Sequence, residues 1–163
     1  MTEIARIARL LKQTFEGTPY YGPSVLGALA GVTADVAARK PQWSAHCIWD
    51  LVAHLTAELI YARAIIDGTA GPWIAGTTTW PAITDTSDAA WQKAISDLKK
   101  ANRALVRAVE QFTDDILDQK PIRVGGPFYL MLHGTMQHNI YHAGQISLLA
   151  GQMTRANTGE PSE

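Results

Sequence analysis

His138-Asn139-Ile140-Tyr141-His142 carries two imidazoles four residues apart in the last long apolar stretch of the chain. On a helix, residues at that spacing stand one turn apart and about 40° around the axis, so both Nε2 atoms can reach a single metal ion. Met131, Thr135, His138, His142, Gln145 and Leu149 follow one another at steps of four and three, the period of a core-facing stripe. Histidines on such a stripe need partners, because an unpaired buried polar group costs a few kcal/mol. One shared metal would satisfy both, with a third ligand supplied by another helix.

The remaining histidines are His46, His54 and His133. His133 precedes His138 by five residues, roughly 140° around a helix, and is set aside. His46 and His54 lie about 12 Å apart along one helix and cannot both join the site. His54, mid-helix at the border of a buried face, is the third candidate. Three histidines leave a coordination position open, which is the pattern of a catalytic zinc site and not of a structural one. The competing reading is core histidines hydrogen-bonded to backbone or carboxylates. A zincin is excluded, since Asn139 follows His138 where that motif has glutamate. Glu-x-x-His occurs nowhere, which disfavours a di-iron bundle.

The elements that must position these residues are helices. Ile4, Ile7, Leu11 and Phe15 mark an amphipathic helix over 3–16, stopped by Gly17. The connection to residue 43 contains Pro19, Pro23 and Pro41, and has room for short helical turns at 24–29 and 33–38. Connections this long often cover a site. Ser44 is the expected N-cap of a second long helix, ending at Asp67 before Gly68. Loop 69–86 holds Trp73 and Trp80, placed to pack down as the wall of a pocket. A third helix repeats Trp91, Ile95, Leu98, Asn102, Leu105 and Val109 after Thr86 or Ser87 as cap. Pro127 opens a fourth helix that Gly151 should close, leaving 154–163 as a disordered tail. The expectation is all-α: one domain over 1–153, a four-helix bundle with a long first crossover connection that argues against simple up-down-up-down order.

The chain has 163 residues, 47% of them apolar, and a net charge of −1. That balance lacks the basic footprint of nucleic-acid binding. A lone Cys47 excludes an internal disulfide and suits a reducing compartment. With no leader and no apolar run long enough to span a bilayer, a soluble cytoplasmic protein is expected.

Gly22-Pro23-Ser24-Val25-Leu26, the stretch Ser44 to Leu55, and His138-Asn139-Ile140-Tyr141-His142-Ala143-Gly144-Gln145-Ile146 together resemble the DinB/YfiT-like metalloenzyme family over nearly the whole chain. The resemblance implies a four-helix bundle of unusual connectivity that holds one divalent metal, zinc or nickel, through His54, His138 and His142. Such a centre brings a water pKa near 7 and deprotonates a thiol outright, so hydroxide or thiolate attack is the chemistry to expect. By resemblance the preferred activity is a thiol-dependent S-transfer from a small-molecule thiol to an electrophilic substrate, with metal-dependent hydrolysis second. A non-enzymatic, ligand-binding or dimeric bundle with a structural metal is the third reading, and a homodimer is implied as plausible. The loops 18–43 and 69–86 would set the substrate.

Around that core, Glu58 either orients His54 or is solvated. Gln145, one turn past His142, either donates to a ligand bound at the metal or hydrogen-bonds another helix, the second being preferred. Cys47 reads as a small buried apolar residue. The tryptophans read as packing residues, and Tyr141 as packed against a neighbouring helix.

Overall fold

The computed structural model describes residues 1–72, 79–122 and 124–158. Among them the regular structure is entirely helical: α1 (Glu3–Glu16), α2 (Val25–Ala28), α3 (Ala34–Ala38), α4 (Ile48–Ile66), α5 (Asp88–Val109), a 3₁₀ turn (Asp114–Ile116) and α6 (Phe128–Thr158). Local chemistry sets most of the ends. Thr2, Ser24, Thr33 and Ser87 each accept a backbone N–H at a helix start, satisfying a donor that the helix leaves unpaired. Gly17 ends α1 because a Cβ there would lie 2.9 Å from the Cα of Gln13. Gly68 ends α4 in the left-handed region, at φ 68°.

Two ends differ from the sequence reading. Ser44 does not cap α4, because its hydroxyl turns into a local bond, donating to the carbonyl of His46 at 2.6 Å. Cys47 takes the role: its Sγ accepts from the N–H of Asp50, and the Asp50 carboxylate reaches back to the N–H of Cys47 at 3.0 Å. His46 therefore precedes α4, outside its helical register. At the other end, α6 passes Gly151 and continues to Thr158. Its backbone hydrogen bonds tolerate glycine, and no proline follows until Pro161. The first part of the expected tail is thus helical, and 159–163 lie outside the described residues.

The four long helices pack around one core. α1 buries Ile7, Leu11 and Phe15, α4 buries Val52, Leu55 and Leu59, α5 buries Leu98 and Leu105, and α6 buries Leu132 and Ile146, all essentially inaccessible. Each such side chain contributes about 1.5–3 kcal/mol through burial. α1 packs on α5 and α6, and α4 packs on the same two, so α1 and α4 occupy opposite corners.

Directions follow from individual contacts. Trp49 meets Trp91 near the starts of α4 and α5, with ring centroids 4.9 Å apart, and Arg63 donates to the carbonyl of Ala104 near their ends. α4 and α5 are therefore parallel. Ile4 donates to Asp114 and Lys12 pairs with Glu110, so α1 opposes α5. His54 meets His142 while Ile65 and Met131 border one cavity, so α6 opposes α4. The order is up-down-down-up. The break in alternation comes from the second connection, 67–87, which must return along the roughly 28 Å of α4. The first connection instead carries the chain diagonally across the bundle, and its two short helices settle on α4 and α6.

Candidate metal centre

α4 and α6 bring His54, His138 and His142 together, and their ring nitrogens lie within 4.8 Å of one another. His138 Nε2 is 3.1 Å from His54 Nε2 and 3.0 Å from His142 Nε2. His54 and His142 are buried, whereas His138 is half-buried and lines a cavity of about 440 Å³ between the two helices.

The outer nitrogens decide the tautomers. His54 Nδ1 lies 2.6 Å from the carbonyl oxygen of Thr79, and His142 Nδ1 lies 2.6 Å from Gln145 Oε1. Both partners are acceptors only, so each Nδ1 carries the proton and each Nε2 presents a lone pair to the cluster. His138 Nε2 can offer at most one proton between them. At least one lone pair is left facing its neighbours without a donor, which costs energy unless a cation occupies the common point. Metal-ligating histidines characteristically donate their second N–H to a carbonyl or amide in this manner. The residues present therefore fit a divalent cation held by three neutral imidazoles.

The surroundings keep those rings neutral. Burial, followed by the neighbouring His142 and His54, lowers the His138 pKa to about 4. Burial also lowers the His142 pKa to about 4, against an opposing contribution from the Gln145 hydrogen bond. His54 is shifted down by burial, partly offset by the Thr79 carbonyl. Trp80 covers His54: the two rings are 4° from parallel with centroids 4.0 Å apart. The other face of the indole stacks on His46 at 3.7 Å. Of the two tryptophans in the second connection, Trp80 packs down on His54 and His46, whereas Trp73 lies outside the described residues.

Several expectations are corrected here. Gln145 bonds His142 on its own helix, one turn back, and not another helix. Tyr141 is 62% exposed, and its hydroxyl accepts from Gln145 Nε2 at 3.1 Å, so it closes a surface chain of bonds leading to His142. It does not pack against another helix. Glu58 makes no bond to His54, whose Nδ1 is taken by Thr79; it lines the cavity beside His138, and burial raises its carboxyl pKa. His46 is no ligand, yet the lost first turn of α4 lets it approach the site through Trp80. His133 stays apart, its ring against Tyr129. The third connection was overlooked: Val124 and Gly125 border the cavity, and the Gly-Gly pair at 125–126 was the available signal.

No protein-family model matches the chain, and no curated protein or solved structure matches it either. The fold and site themselves define an all-α protein with a largely buried three-histidine cluster able to hold a metal ion. No helix among the described residues is long and apolar enough to cross a membrane.

Proposed function

We propose that this chain is a divalent-metal-dependent enzyme of the DinB/YfiT type, with zinc or nickel held by His54, His138 and His142, that transfers a small-molecule thiol to a small electrophile. The observation that carries the reading is the convergence of three Nε2 atoms while two of the three rings spend their Nδ1 protons on Thr79 and Gln145. When bound, the cation supplies positive charge that favours the anionic form of a thiol or a water beside it.

The chain's own groups supply the rest. Thr79 and Gln145 fix the ring orientations, and Trp80 shields His54 from water. The cavity beside His138 has the volume of a small-molecule site. In the transfer, the thiol loses its proton to solvent, a new sulfur–carbon bond forms, and the leaving group departs with its electron pair. Cys47 takes no part: it caps α4, is buried, and its thiol pKa is raised by burial.

Hydrolysis is the second reading, and one observation favours it. The Glu58 carboxyl shares the cavity with His138, and burial raises its pKa, the direction that suits a general base. Metal analysis of protein purified without a chelating tag tests the centre, with one equivalent expected in the wild type and loss of it in His142→Ala. Turnover of a chromogenic electrophile is then followed with and without low-molecular-weight thiol, and with and without chelator. Thiol-dependent, chelator-sensitive turnover is expected, and turnover indifferent to chelator would overturn the proposal.

A further inference from the structure

Among the described residues, none that lines the cavity between α4 and α6 carries a charge opposite to that of Glu58. The cavity walls include Ala62, Ile65, Val124 and Met131, and Glu58 stands among them. None of the ion pairs or hydrogen bonds among the described residues involves Glu58, and no lysine or arginine of those residues lines the cavity. A carboxylate half-withdrawn from water beside apolar walls is stabilised by a cation that arrives with its own donors.

Gly134 is an independent sign. It lies within α6 and lines the same cavity, yet a Cβ at this position would meet nothing within 4 Å. Packing does not demand glycine, and glycine within a helix is weaker than alanine. Its effect is to leave space on the cavity side.

We infer that the cavity binds a small amphiphilic amine, with the ammonium on Glu58 and the apolar body against Ala62, Ile65, Val124 and Met131. This names the charge and shape of the substrate for the proposed enzyme, and it rests on that reading only in calling the ligand a substrate. Glu58 is then a specificity-determining counter-charge, and the hydrolytic reading loses its base.

The test uses the full chain treated with chelator, so that amine binding and metal binding fail separately. Hexylammonium, 1-hexanol and hexanoate are titrated by calorimetry and by the shift of the isotope-labelled Met131 methyl. Hexylammonium is expected to bind about tenfold tighter than hexanol, as a charge-assisted hydrogen bond allows, and hexanoate weakest of the three. Glu58→Gln removes the preference for the amine but retains hexanol binding, and Gly134→Leu, which fills the space, abolishes binding of both. The inference is overturned if hexanoate binds as well as hexylammonium, if none of the three moves the Met131 signal, or if Glu58→Gln leaves the order unchanged. The wild-type series decides the matter alone if either variant fails to fold.

Discussion

His142 is held by Gln145, one turn further along the same helix, through a bond of 2.6 Å from ring Nδ1 to amide Oε1. The amide nitrogen of Gln145 is turned outward to the Tyr141 hydroxyl, which keeps the oxygen on the ring. Removing the acceptor should cost the ring its orientation and its basicity. Gln145→Leu is expected to weaken zinc binding by about 10–100-fold, the usual effect of losing such a partner. Gln145→Glu, which keeps an acceptor, should restore it. Competition titration against a chromophoric chelator measures both, and an unchanged affinity in Gln145→Leu would remove the residue from the site.

Acid should destabilise the metal-free protein before it affects the carboxylates. His138 and His142 have pKa values lowered from 6.5 to about 4 in the folded chain. Between those values the unfolded chain binds more protons than the folded one, so the free energy of unfolding falls as pH falls. Stability is complete above about 6.5 and is lost progressively down to about 4. Urea unfolding of chelator-treated protein at pH 7.5, 6 and 5 checks the slope. His138→Gln with His142→Gln should flatten it.

Trp80 reports on His54 because the rings are stacked. Addition of one equivalent of zinc is expected to change tryptophan emission, and Trp80→Phe should abolish most of that change. An aromatic stack is worth about 0.5–1.5 kcal/mol, so Trp80→Ala should weaken metal binding by up to roughly tenfold. A full emission change in Trp80→Phe would mean that another tryptophan senses the metal.

Cys47 should be inert while the chain is folded, since burial both hides the thiol and disfavours its thiolate. An aromatic disulfide reagent is expected to modify it only at the rate of unfolding. Cys47→Ser keeps an acceptor for the N–H of Asp50 and should leave activity unchanged. Cys47→Val removes the cap and should cost about 1 kcal/mol in stability. Loss of turnover in a folded Cys47→Ser protein would place the thiol in the chemistry.

The long helices were legible because their signals are local. Apolar spacing on α1 and α5 and the cap Ser87 act within a few residues, and both helices form as that spacing predicts. The His138–His142 pair was legible for the same reason, since four residues on a helix define one geometry. The start of α4 was misread because Ser44 and Cys47 are both able to cap, and the choice fell to the Asp50 side chain reaching back to Cys47. With that start displaced by one turn, His46 lies outside the helix and stacks on Trp80.

The sequence by itself determined which imidazoles could share an ion, because helical periodicity places His138 and His142 on one line and His54 on the edge of a buried face. Only the tertiary structure decided what holds them: the carbonyl of Thr79 on His54, the Gln145 amide on His142, and the 124–125 turn beside the cavity. Those partners come from a backbone atom, from a side chain with two competing uses, and from a loop, none of which has a period to read. Parallel α4 and α5 were likewise hidden, since a connection as long as 67–87 permits either direction, and the packing of the paired helix ends selects one.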